Sequence, residues 1–216
     1  MRVCIRCHVL PLAPKWAIWL AESEGCAMDA GHYQGRTFNG RDAAELELVE
    51  IEFEQCVFQS CDFSGVQMSG VVFRDCRFEH CNLAMVKFGD VVLRDAVFVG
   101  CKLTGTDFSG DRDFISFRFE DCLLDYAIFH RLKIKKTCFL RCSLTDADFS
   151  GADLTSADFS DSSLAGALFE QTNLEKADLR TARNYSIDPE KNRLRKAQFS
   201  LSGVTGLLHK YGIVVE

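Results

Sequence analysis

The run Ala147-Asp148-Phe149-Ser150-Gly151-Ala152-Asp153-Leu154-Thr155-Ser156 repeats its own pattern after five residues. A small residue is followed by an acidic one, a large apolar one, and two that are small or polar. Extended in both directions, this spacing takes in seventeen of the eighteen phenylalanines of the 216-residue chain. Phe38, Phe53, Phe58, Phe63, Phe73, Phe78, Phe88, Phe98 and Phe108 share one phase. Phe114, Phe119, Phe129, Phe139, Phe149, Phe159, Phe169 and Phe199 share another, displaced by one residue. Leucines such as Leu83, Leu103, Leu124, Leu144 and Leu164 fill many of the gaps. A period of five is neither the ~3.6 of an α-helix nor the ~2 of a strand. Sustained over most of the chain, it predicts a solenoid that turns one corner per repeat.

The positions around each large residue are also stereotyped. Two residues before it stands a small side chain, as at Cys56, Cys61, Val66, Val71, Cys76, Cys81, Ala147 and Ala152. Immediately before it Asp or Asn is frequent, as at Asp62, Asn82, Asp107, Asp148, Asp153, Asp158, Asn173 and Asp178. These runs resemble the pentapeptide-repeat family, whose consensus is A(D/N)LXX, over residues 36–182. The resemblance implies an all-β solenoid, a right-handed quadrilateral β-helix of about seven coils with four repeats per coil. Small and large positions then point inward and the other three residues of each repeat outward.

Four repeats per coil place residues twenty apart on neighbouring rungs, about 4.8 Å from each other. Cys61, Cys81 and Cys101 keep that interval, as do Cys122 and Cys142, whereas Cys101 to Cys122 spans twenty-one. The same correction aligns Phe58, Phe78, Phe98, Phe119, Phe139 and Phe159 in one column, and Phe88, Phe108, Phe129, Phe149 and Phe169 in a second, two sides away. One extra residue within Ser109 to Asp113, a bulge that leaves the coil phase intact, accounts for the shift.

Of eleven cysteines, seven (56, 61, 76, 81, 101, 122 and 142) hold the small inward position, where a thiol packs as a compact hydrophobe. Their parallel Cβ vectors suit a reduced stack better than disulfides, which points to a reducing, cytoplasmic compartment. Cys138 departs from the pattern, standing next to a central residue. Residues 1–35 form an N-terminal arm outside the lattice; Cys4-Ile5-Arg6-Cys7-His8 matches the haem-attachment spacing, but no signal sequence precedes it. An alternative start at Met28 makes residues 1–27 an extension.

Residues 183–216 read as a C-terminal cap. Ser200 can N-cap a short helix over Leu201 to Lys210, with Gly212 as its stop. A solenoid needs such a cap over its last open rung. Val204, Leu207, Leu208, Tyr211, Ile213 and Val215 offer more apolar surface than a cap alone requires and are the candidate homodimer interface. The Asn184-Tyr185-Ser186-Ile187-Asp188-Pro189 segment and the closing Leu207-Leu208 pair resemble the endings of a bacterial subset of the family. That subset includes the quinolone-resistance Qnr proteins and the immunity proteins against albicidin and microcin B17. The resemblance implies binding to DNA gyrase or topoisomerase IV by mimicry of B-form DNA, and relief of topoisomerase poisoning. The Qnr pattern includes long insertion loops that this chain lacks.

The chain carries a net charge of −6. Residues 42–182 hold fourteen basic and twenty-five acidic side chains, a net of −11, concentrated first at Asp42, Glu45, Glu47, Glu50, Glu52 and Glu54. Glu45, Glu47, Glu50, Glu52 and Glu54 are the candidate partner-binding surface. Two readings stand level: an acidic rod that competes for a DNA-binding saddle, or exposed repeat positions that are charged for solubility. An acidic body argues against direct nucleic-acid binding, and no apolar stretch is long enough to span a membrane. The histidines at 8, 32, 80, 130 and 209 are scattered, and no phosphate loop or H-E-x-x-H motif is present. No catalytic residue, cofactor or metal is therefore expected. A generic protein-interaction scaffold is the alternative to the gyrase reading.

Overall fold

The computed structural model describes residues 31–40, 47–109 and 116–213. The motif at 4–8, the start at Met28, Glu45, Phe114, Val215 and most of the expected bulge segment lie outside these residues. The described chain is a parallel solenoid. One sheet of six strands runs, in spatial order, Cys138–Leu140, Phe117–Glu120, Ala96–Val99, Arg77–Glu79, Val57–Gln59 and Thr37–Asn39. A second, of four, stacks His32–Gln34, Glu52–Glu54, Val72–Arg74 and Val92–Arg94. Glu47–Val49 pairs with Gln67–Ser69, and Asp178–Leu179 with Gln198–Phe199. Elsewhere the rungs meet through single parallel bridges such as Ser143↔Ser163 and Asp153↔Asn173.

Four faces result. Face 1 carries the column Phe38, Phe58, Phe78, Phe98, Phe119, Phe139, Phe159, Leu179, Phe199. Face 2 carries Phe63, Leu83, Leu103, Leu124, Leu144 and Leu164; face 3, Leu48, Met68, Phe88, Phe108, Phe129, Phe149 and Phe169; face 4, Tyr33, Phe53, Phe73, Leu93, Ile134, Leu154 and Leu174, all buried. The face 1 column makes eight steps, about eight turns and roughly 38 Å of rise. That is one turn more than the seven expected, because pairing starts at His32↔Glu52 and ends at Leu179↔Phe199.

The register advances by twenty at Phe78↔Phe98 and at Phe119↔Phe139, but by twenty-one at Phe98↔Phe119 and Lys102↔Leu123. The extra residue is thus accommodated between Phe108 and Phe117 and the columns continue across it. Phe98 stacks on Phe119 at 5.2 Å and Phe119 on Phe139 at 5.4 Å. Opposite columns meet edge to face across the axis, as in Phe139 with Phe149 at 5.8 Å and 83°, which suits the ring quadrupoles. Phe117, the one phenylalanine off the lattice, is buried as well: it takes a position elsewhere held by a small residue, against Phe108 and Phe119.

Most faces end in a left-handed residue, as at Glu50 (φ 53°), Met85 (61°), Tyr126 (59°) and Lys136 (61°). Narrow corners close with a bond from residue i+3 back to the central carbonyl, as in Val86 N–H to Leu83 O (3.3 Å) and Ala152 N–H to Phe149 O (3.0 Å). At the wider corners of faces 1 and 4 a thiol from the next coil serves the inward carbonyl. Cys56 donates to Tyr33 O, Cys76 to Phe53 O, Cys81 to Phe58 O and Cys101 to Phe78 O, each at 3.3 Å, and Cys122 to Phe98 O at 3.4 Å. The hydroxyl of Ser162 does the same for Phe139 O at 2.9 Å. A buried carbonyl left without a donor is costly, so the thiols are donors as well as hydrophobes. All eight described cysteines are free. The neighbouring thiol, together with burial, holds Cys76, Cys101 and Cys142 above the ordinary thiol range.

After Tyr185 and Ile187, both buried, the chain closes the last rung. The expected helix over 201–210 is two short 3-10 turns, Gly203–Leu207 and His209–Tyr211. Glycines at 203 and 206 weaken an α-helix, and Gly206 is needed for contact: a Cβ there would lie 2.4 Å from Tyr185 O. The Ser200 hydroxyl accepts from Gly203 N–H at 2.9 Å, and Gly212 ends the second turn at φ 61°. Lys210 pins the segment to the solenoid through Asp188 and Glu190, each at 2.7 Å.

Candidate interaction surfaces

Three residues of each repeat face outward: the two flanking the central residue and the corner. The Asp before the centre has a local task there. Asp62 accepts from Ser64 N–H (2.8 Å), Asp107 from Ser109 N–H (2.8 Å), Asp148 from Ser150 N–H (2.8 Å) and Asp158 from Ser160 N–H (2.9 Å). This side-chain-to-backbone turn explains why Asp and Asn recur at that position. The bonds from Ser64 hold the Asp62 carboxyl below its usual range, and those from Arg180 do so for Asp178. Much of the chain's acidity is therefore spent on holding turns.

The five glutamates of the candidate acidic surface are separated by a corner. Glu45 and the side chain of Glu47 lie outside the described residues. Glu50 is an exposed corner of face 3. Glu52 and Glu54 flank Phe53 on face 4, where Glu52 bonds Arg74 and the two carboxylates lie 3.7 and 3.8 Å from His32. The hydrogen bond from Arg74 holds Glu52 below its usual range.

The face-by-face distribution, which adjacency in sequence does not reveal, is more informative. On face 1 arginines offset the acids: Arg141 bonds Asp121 (2.8 Å) and Glu120 (2.6 Å), Arg77 bonds Glu79 (2.5 Å) and Arg180 bonds Asp178 (2.6 Å). Face 3 keeps an acidic excess with fewer pairs: from Leu48 to Phe169 its described outward positions present Glu50, Asp90, Asp107, Asp148 and Glu170 against Lys87 and Arg131, and Lys191 bonds Glu170 at 2.9 Å. The twenty-residue columns that reveal the core also locate this face, once the outward positions are sorted by side.

The candidate dimer residues diverge in orientation. Val204, Tyr211 and Ile213 are exposed, Leu208 is half-buried, and Leu207 turns inward to pack on the core. Leu201, 92% exposed, joins the outward group. No group of three or more metal-ligating side chains is found among the described residues, and no described helix is long and apolar enough to cross a membrane.

The sequence matches the pentapeptide repeat region over residues 71–149 and pentapeptide repeats (8 copies) over 45–75 and 142–181. Among solved structures it is similar to trypsin-treated QnrB1, a plasmid-mediated fluoroquinolone resistance protein, with 21% identity, a TM-score of 0.61, and 86% of this chain and 91% of that one covered. It is also similar to HetL, a pentapeptide repeat protein involved in heterocyst differentiation regulation from the cyanobacterium Nostoc, with 18% identity, a TM-score of 0.54, and 80% and 88% covered. No curated protein matches the sequence.

Proposed function

Since the chain belongs to the pentapeptide-repeat family, we propose that it acts without catalysis, as a rigid cytoplasmic rod that binds DNA gyrase or topoisomerase IV in place of a DNA duplex. Binding lowers the damage done by topoisomerase-poisoning drugs. The observation that supports this reading is face 3, whose acidic excess is carried on a parallel lattice. B-form DNA presents about one negative charge per 1.7 Å of axis. Residues 42–182, at −11 over about seven coils and roughly 34 Å, reach about half of that density. QnrB1, which shares the fold, is a fluoroquinolone resistance protein, in line with the same outcome here.

In a supercoiling assay with purified gyrase and a quinolone, stoichiometric protein is expected to restore supercoiling. The variant Glu50→Lys/Asp148→Lys/Glu170→Lys should lose at least about tenfold in gyrase affinity, and the wild-type affinity should fall with added salt. No rescue together with no gyrase binding would leave the scaffold alternative.

The rod pairs with a second copy through the apolar surface of Leu201, Val204, Tyr211 and Ile213, which extends past the cap. Leu201→Asp/Val204→Asp is expected to give a monomer by light scattering with unchanged circular dichroism. A dimer that persists would place the interface elsewhere.

A further inference from the structure

The last coils of face 4 carry a charge of the opposite sign. On the four rungs 133–136, 153–156, 173–176 and 193–196, the outward positions hold seven cations and two carboxylates, Asp153 and Glu175. Asp153 is occupied, since Lys135 pairs with it at 3.2 Å. Lys136, Lys176, Arg193, Arg195 and Lys196 are exposed and make no ion pair in the structure. Lys136, Lys176 and Lys196 are all left-handed corners (φ 61°, 61° and 62°), so they rise from one edge of the rod in a single column. Arg193 and Arg195 flank Leu194 on the final rung, beside that column. At about 4.8 Å per rung the patch extends about 14 Å along the axis.

From this we infer that face 4 of the C-terminal coils binds the phosphate backbone of a nucleic-acid duplex, independently of the gyrase reading. Two observations select this partner. Free cations held side by side on a rigid lattice suit the phosphates of a backbone, with the arginine forks suited to paired oxygens. Moreover, none of the twelve outward residues on these rungs is apolar or aromatic. The buried centre of a protein–protein interface is rich in aromatic side chains and depleted of lysine, and single strands call for aromatic stacking platforms. The net charge of −6 conceals the patch. At about 0.1 M salt a charge is felt over only about 10 Å, so the local sign decides contact.

The test is fluorescence anisotropy of a labelled duplex of arbitrary sequence with the full chain. Binding is expected at low salt and should weaken about 100-fold between about 50 and 200 mM, as displacement of counterions from about four phosphates requires. Lys176→Glu/Arg193→Glu/Arg195→Glu should bind at least about 30-fold more weakly and flatten the salt slope by about three. Lys136→Gln/Lys176→Gln/Lys196→Gln changes only solvent-exposed corners and gives the same direction should the first variant misfold. No binding by the wild type at low salt overturns the proposal, as does equal binding by the folded variants. A preference for single strands, or for polyglutamate over duplex, also overturns it and assigns the patch to those partners.

Discussion

Phe119→Ala is expected to destabilise the solenoid by about 3–5 kcal/mol in guanidinium denaturation. Phe119 is fully buried at the point where the register takes in its extra residue. Its ring stacks on Phe98 and Phe139 and meets Phe108, Phe117 and Phe129 from the side. Truncation removes every one of these contacts, and a lattice of parallel strands cannot shift one rung to fill the void without breaking pairing above and below. Phe119→Leu, which keeps most of the volume, should cost about 1.5 kcal/mol or less. A loss below about 1 kcal/mol for the alanine variant would mean that the ring column contributes little to stability.

The second large effect is at Asn192. Its side chain sits at an inward position of the last coil, donates to Phe169 O (2.8 Å) and Asp188 O (2.9 Å), and accepts from Thr172 N–H (2.8 Å). Asn192→Asp keeps the acceptor, removes both donors and buries a charge, at a cost of about 3 kcal/mol. The expected signature is local: proteolysis after residue 183 accelerates while the earlier coils stay protected, as expected of units that touch only their neighbours. Glu190→Gln, at an exposed partner of Lys210, should change stability by less than about 1 kcal/mol. Equal protection of the Asn192→Asp cap and wild type would contradict this role.

The core was legible because a five-residue period specifies which side chain faces the axis on every side, and twenty-residue spacing then orders the rungs. That logic found the phenylalanine columns and even the single inserted residue. It missed Phe117, which breaks the small-residue rule at an inward position next to the insertion. It also treated the inward cysteines as apolar filler. Which corners are wide, and so leave a carbonyl in need of a donor, depends on backbone geometry that the pattern does not encode. Ser162 and Asn192 hold the same inward position for the same reason, while Thr172 adds a second donor to Phe149 O. The acidic cluster was misleading in another way. Glu50 and Glu52 are near neighbours in sequence, yet a corner separates them, so that proximity along the chain dispersed on the surface. The useful unit for a surface was the column, which showed an acidic face 3 and a basic end to face 4.

The twenty-one-residue coil has a consequence for how such chains change length. Pairing recovers on both sides of the stretch between Phe108 and Phe117 that contains the added residue, whereas one added within a paired strand would swap inward and outward side chains there. Insertions and deletions in descendants of this gene should therefore gather at corners or come as whole turns, so that the rod grows or shortens in discrete steps.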